Sequence, residues 1–228
     1  MIVEMVGLPG SGKTTLAKAV RTAGKREGVD ILLPYGSDLE TQLNPRTPRY
    51  VKRHGHRRLL YSSILFANDH PELISFCRQM RPSGAEADEF LFSLNGALYQ
   101  NARDKGEGVY LFDESFLQRG VNLLMDQSRL EAYLPLVPLP DLVVHLHVEA
   151  QVAFDRCIER RGSGDDIREK VTSKFGDAGQ FEHRAALNQF SVDAVEGRGA
   201  EVLQLDGTEA VDLLAQVVVE ACLAKSNS

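Results

Sequence analysis

The sequence predicts an α/β fold: one domain over residues 1–228, built on a parallel β-sheet with helices on both faces. Three observations predict it. Short, almost wholly apolar runs recur along the chain, which suits strands buried on both faces rather than half-exposed ones. Stretches with apolar residues at three- and four-residue spacing separate these runs, so strand and helix alternate. No internal repeat, linker or low-complexity stretch interrupts the pattern.

The elements follow in order. Ile2 to Val6 reads as a buried strand. Lys13 to Ala23 carries Leu16, Ala17, Ala19, Val20 and Ala23 at helical spacing, and Gly24 suits its C-cap. A second strand runs from Val29 to Leu33 and stops at Pro34. Arg58 to Ala67 reads as helix, and Pro71 suits the first turn of another. Ala85 to Lys105 places Phe90, Leu91, Leu94, Ala97 and Leu98 on one stripe of a long helix ended by Gly106. Val109 to Phe112 and Leu142 to Val148 are the third and fourth strands. Helix is expected over Glu149 to Arg161, then a polar break at Gly162 to Asp166, then helix from Gln180 to Glu196 closed by Gly197. Val202 to Leu205 is the fifth strand, and Ala210 to Ala224 the last helix.

Composition narrows the function classes. With 43% hydrophobic and 25% charged residues the chain is an ordinary globular one, and its net charge of −6 argues against wholesale non-specific nucleic-acid binding. No apolar run reaches 18 residues, and the opening MIVEMVG lacks a basic n-region and a long h-region. Neither a membrane span nor export is expected. Cys77, Cys157 and Cys222 are widely spaced with no CxxC pair, which suits a reducing cytoplasm and small hydrophobes packed on helices.

Between the first strand and the first helix stands Gly7-Leu8-Pro9-Gly10-Ser11-Gly12-Lys13-Thr14, which matches GxxxxGK[ST] at every fixed position. Glycines remove Cβ atoms, so the backbone can turn its N–H groups inward, and the positive end of the following helix adds to that nest. Lys13 is expected to reach the β- and γ-phosphates of ATP, Thr14 to bind Mg²⁺ and Thr15 to donate to the α-phosphate. The chain is therefore expected to have a P-loop NTPase fold. The third strand ends in Asp113, which beside the P-loop would hold Mg²⁺ directly or through water; Glu114 follows as a second ligand or a base. Arg156 and Arg160 lie four apart on one helix face, with Arg161 next and Arg168 beyond the polar break. Such a lid would gather cations around a transferred phosphoryl group and exclude water.

Arg46, Arg49, Lys52, Arg53, Arg57 and Arg58 crowd into thirteen residues, with His54 and His56 among them and no acidic residue between Glu40 and Asp69. A polyanionic acceptor would explain this: a nucleotide, a nucleic-acid strand meeting residues 46–58, or another phosphorylated metabolite. Tyr50, Tyr61 and Phe66 offer stacking surfaces. The two histidines read as surface residues rather than metal ligands.

Together these residues resemble the nucleoside and nucleotide kinase group of P-loop proteins, thymidylate kinases and deoxynucleoside kinases in particular. The resemblance is carried by GLPGSGKT, by FDES followed by Arg119, by PDLVVHLHVEAQVAFDRCIERRG and by VLQLDGT; it does not extend to residues 35–105. It implies a three-layer fold with sheet order 2-3-1-4-5, a helical acceptor-binding region at 35–105 and an arginine-rich lid at 156–175. It also puts the loop of Asp206, Gly207 and Thr208 near the adenine. Members of the group usually carry Asp-Arg or Glu-Arg at the third strand end, whereas here Asp113-Glu114 stand there and the nearest arginine is Arg119. By the same resemblance Asp38 or Glu40 is a candidate base, and Arg49, Arg53, Arg57 and Arg119 are candidate acceptor contacts. The expected activity is ATP- and Mg²⁺-dependent phosphotransfer to a nucleoside- or nucleotide-like acceptor. A kinase acting on a polynucleotide or on a hydroxylated base in DNA stands as an alternative. So does an ATPase switch without an acceptor. A homodimer is left open.

Overall fold

The computed structural model describes residues 1–34, 65–79, 95–103, 108–162 and 165–226. Five strands, β1 (Ile2–Val6), β2 (Ile31–Leu32), β3 (Val109–Phe112), β4 (Leu142–His147) and β5 (Glu201–Asp206), form one parallel sheet in the order β2-β3-β1-β4-β5. This is the order that the resemblance implies. Central β1 pairs with β3 from Ile2 opposite Tyr110, and with β4 as far as Val6 opposite His145. The chain therefore leaves β1 and β3 at the same edge of the sheet, where ligands bind in open parallel sheets.

Alternation along each strand divides the core in two. Val3 and Met5 face one side, where α1 (Lys13–Arg26) brings Leu16 and Val20 and α8 (Val211–Ser226) brings Leu214 and Val218. Ile2 and Val6 face the other. That side is covered by α3 (Phe116–Leu124), α4 (Gln127–Tyr133) and α7 (Ala178–Glu196), through Phe116, Leu130 and Leu187. Each such side chain removed from water contributes about 1.5–3 kcal/mol. A third, smaller cluster joins α5 (Ala150–Glu159), α6 (Asp165–Phe175) and α7 through Phe154, Val171 and Phe181. Among the described residues no helix is long and apolar enough to cross a membrane.

Several boundaries differ from expectation for physical reasons. The first helix runs through Gly24 to Arg26, and Gly24 is buried inside it rather than capping it. A Cβ at Gly24 would lie 2.5 Å from Ile31 Cδ1, so this glycine lets β2 pack close. The left-handed turn that ends the helix is at Gly28, with φ of 76°. The second strand pairs over two residues only, Ile31 and Leu32. The polar break at 162–166 is shorter than expected, because α6 already begins at Asp165. The helices α3, α4 and α6 and a 3₁₀ turn over Leu134–Leu136 are not among the expected elements. α2 (Pro71–Gln79) starts at its proline as anticipated. Of the helices expected over Arg58–Ala67 and Ala85–Lys105, helical residues 65–69 and 95–103 are described, and the remainder lies outside the described residues.

One buried charge organises the start of α3. Its N-cap residue, Ser115, makes no side-chain cap bond. Instead Glu4, fully buried in β1, accepts from the Leu117 N–H at 2.6 Å and from the Tyr99 hydroxyl at 2.7 Å. Burial pushes the Glu4 carboxyl up to about 7, although the bonds from Tyr99 and the α3 backbone pull the other way. A carboxylate borrowed from the neighbouring strand thus satisfies an amide that the helix itself leaves free.

Candidate functional site

The loop between β1 and α1 wraps around a lysine. Gly10 and Gly12 take φ of 84° and 101°, a region that side chains with a Cβ rarely enter. At Gly10 a Cβ would also lie 2.2 Å from the Ala153 carbonyl of α5, so the loop packs directly on that helix. Ser11 N–H donates to the Leu8 carbonyl at 3.1 Å, and α1 starts at Lys13. Lys13 Nζ curls back to donate to the carbonyls of Gly7 at 2.7 Å and Leu8 at 2.9 Å. The enclosing loop desolvates this ammonium and pushes it down to about 8, partly offset by Glu114 and Asp113. Beside it the Thr14 hydroxyl donates to Asp113 Oδ2 at 2.8 Å. The strand register brings these two together, as β1 and β3 end side by side.

Two clefts meet at the loop. The first, of about 240 Å³, is lined by Pro9, Gly10, Gly12, Lys13, Thr14, Asp113 and Glu114 on one side and by Arg160, Arg161 and Phe175 on the other. The second, of about 490 Å³, is lined by Ser11, Thr15, Leu16, Leu146, Arg156, Arg160, Gly207 and Leu214. Gly7 stands just below, its N–H donating to Gln118 Oε1 at 2.9 Å. The arginines expected in a lid divide. Arg160 borders both clefts, while Arg156 Nη1 donates to the Gly207 carbonyl at 3.1 Å. Arg161 stacks over Phe175 at 4.9 Å, and Arg168 over Phe154 at 5.6 Å.

Other expected residues lie elsewhere. Asp206 is turned into its own loop, accepting from the Thr208 backbone at 2.9 Å and hydroxyl at 2.7 Å; those bonds hold its carboxyl below the usual range. Arg119 lines neither cleft. Its charge lowers the carboxyl of buried Glu4 and the hydroxyl of buried Tyr133 slightly, against the larger effect of burial. Asp38, Glu40, Arg46, Arg49, Lys52, Arg53, His54, His56, Arg57, Arg58, Tyr50 and Tyr61 lie outside the described residues.

No family model and no curated protein matches the sequence. Among solved structures the chain superposes on a deoxyadenosine kinase from M. mycoides with bound dCTP. The TM-score is 0.50 at 15% identity, over 98% of this chain and 100% of that one. The chain shares that enzyme's fold. Structures of the same deoxyadenosine kinase with dCMP and a flexible dCDP, and with dATP, give TM-scores of 0.47 and 0.46. Their identities are 15% and 16%, and the alignments cover 98% and 100% of this chain and 100% of each kinase chain.

The deoxyadenosine kinase likeness is one of fold. Three of those that border the first cleft are not evident in the sequence: Gln118 and Asn122 of α3, and Cys157 of α5. Gln118 and Asn122 are four apart within an otherwise largely apolar helix, and that polar pair is the signal that would have found them. Cys157 is buried with Cys77 and Cys222, each on a helix, and all three thiols are free.

Proposed function

We propose that this protein is a phosphotransferase that moves the γ-phosphoryl group of ATP to a hydroxyl or phosphate of a nucleoside- or nucleotide-like acceptor. The observation that carries this is the Thr14–Asp113 contact of 2.8 Å beside Lys13, in a cleft faced by Arg160 and Arg161. A hydroxyl and a carboxylate are hard oxygen donors, and the pair fits Mg²⁺ held jointly with phosphates. When bound, that ion supplies charge neutralisation on the β- and γ-phosphates.

In this scheme the loop amides hold the β-phosphate, and Lys13 leaves the Gly7 and Leu8 carbonyls for the β- and γ-oxygens. Thr15 lies on the second cleft, the side for the α-phosphate and nucleoside of ATP, together with Arg156 and Gly207. Arg160 and Arg161 meet the developing charge on the transferred group from the opposite wall. Glu114 borders the first cleft, one residue beyond Asp113, and takes the acceptor hydroxyl proton as the new O–P bond forms and the bond to ADP breaks. Most of the catalysis is then positioning and electrostatics. Asp38 is the rival for the proton, and Arg49, Arg53 and Arg57 are the proposed contacts to an anionic acceptor; Arg119, which lines neither cleft, is not among them. A second assignment, a nucleic-acid acceptor, is favoured by the basic run at residues 46–58. Acceptor binding that weakens steeply with salt would support it, whereas a shallow dependence supports a small acceptor.

The test is a screen with γ-labelled ATP and Mg²⁺ over nucleosides, nucleotides, DNA strands and small phosphorylated metabolites. Label is expected in an acceptor with wild type, and transfer is expected to fall by at least about 10³-fold in Lys13→Ala, with the fold unchanged by circular dichroism. Near-normal transfer by that variant would falsify the assignment. Acceptor-independent ATP hydrolysis, with no label transferred, would favour a switch instead.

A further inference from the structure

Behind Glu114 lies a chain of side-chain hydrogen bonds that neither the sequence motifs nor the proposed chemistry assigns. Gly7 N–H donates to Gln118 Oε1 at 2.9 Å, which turns the Gln118 amide nitrogen away from the loop. That nitrogen makes long bonds to Asn122 Oδ1 at 3.4 Å and Asn188 Oδ1 at 3.5 Å. Arg184 Nη1 of α7 donates to the same Asn122 Oδ1 at 2.9 Å. The Asn122 nitrogen is left facing Glu114, donating to Oε1 at 3.2 Å.

The polarity of this chain is fixed from both ends. A carboxamide can swap its oxygen and nitrogen by rotating half a turn, so what surrounds it decides which end faces where. A guanidinium has donors only, and a backbone N–H is a donor only. Arg184 and Gly7 therefore force Asn122 Oδ1 toward α7 and Gln118, and Asn122 Nδ2 toward the carboxylate. With the amide reversed, two oxygens would face each other and the hydrogen bond would be lost.

We propose that Arg184 and Asn122 are positioning residues that hold Glu114 Oε1, leaving the other carboxylate oxygen aimed into the cleft for the acceptor proton. This rests on the phosphotransfer reading above and on Glu114 as its base. It also links the base to the first glycine of the phosphate loop, so the two halves of the site are held by one network. Gln118 is 2% exposed and Asn188 is 1% exposed, which keeps water from replacing the links at its centre.

Two measurements test this together. The first is the Asn122 side-chain amide resonance in ¹⁵N-labelled protein, which needs no acceptor. One sharp, shifted amide pair is expected in wild type and in Arg184→Lys, and a changed or doubled pair in Arg184→Met and Glu114→Ala. The second is turnover with MgATP and the acceptor found by the screen. Arg184→Met and Asn122→Ala are expected to lower kcat about ten- to a hundredfold with KM for ATP within about twofold. Arg184→Lys is expected to restore most of kcat, and the double variant to be no worse than Asn122→Ala alone, since both act through one contact. An amide pair unaffected by Arg184→Met, an unchanged kcat, or additive losses would each overturn the inference. If wild type labels no acceptor while the amide pair behaves as expected, it is the phosphotransfer reading that fails, and the positioning role falls with it.

Discussion

A single residue, Glu4, couples the phosphate-loop strand to helix α3 and to helical residues 95–103. Its carboxyl titrates near 7 in the fold against an ordinary value of 4.5, because burial disfavours the charged form. The folded protein therefore binds more protons than the unfolded chain between these two values. Stability from this group is complete below about pH 4.5 and is lost as pH rises through about 7. The difference is on the order of 3 kcal/mol. Glu4→Gln keeps an oxygen for the Leu117 N–H and an amide for the Tyr99 hydroxyl but removes the titration. Urea denaturation of both proteins from pH 5 to pH 8 checks this. The variant is expected to overtake wild type in stability toward pH 8, and parallel profiles would contradict it.

At the scale of elements, the loop between β1 and α1 and the helix α5 are packed together through one glycine. Gly10 combines a left-handed φ of 84° with a Cβ position 2.2 Å from the Ala153 carbonyl. Gly28 has a similar φ of 76°, but a Cβ there would meet nothing within 4 Å. Gly28→Ala is thus expected to cost about 1–2 kcal/mol, the conformational term alone. Gly10→Ala should cost clearly more and weaken ATP binding as well; denaturation curves and ATP titration measure the two effects. Equal losses would mean that the loop does not lean on α5. Element boundaries also show where sequence reasoning stops. The strands β1 and β3 and the start of α1 were legible because apolar runs meet glycine and charge abruptly there. Gly24 is ambiguous in the sequence because a C-cap and a close helix–strand contact both select glycine. Helix α6 is not legible in the sequence because two glycines precede it and its apolar residues are few, although acidic residues also suit a helix start. Helix α3 was missed because its first amides are satisfied by Glu4, far away in sequence, and not by a local cap.

For the whole molecule, the sheet order brings the ends of β1 and β3 together, and residues that follow β4, Arg160, Arg161 and Phe175, line the cleft above them. The motif residues Lys13, Thr14 and Asp113 were legible in the sequence, and the fold brings them to one cleft. What could not be read is the support beneath them, where Gln118 and Asn122 of α3 border the cleft and Arg184 of α7, more than fifty residues on, backs Asn122. Arg160 borders both clefts, so Arg160→Ala is expected to raise KM for ATP and lower kcat about tenfold or more, whereas Arg156→Ala should act mainly on KM; steady-state kinetics with varied ATP separates the two. The most direct measurement is anomalous diffraction from a crystal grown with Mn²⁺ and a non-hydrolysable ATP analogue. One manganese peak is expected within bonding distance of Thr14 Oγ1 and on the Asp113 side of the loop, with the β-phosphate against the loop amides. A polyphosphate chain bound away from residues 7–15, or a manganese peak remote from Thr14, would contradict it.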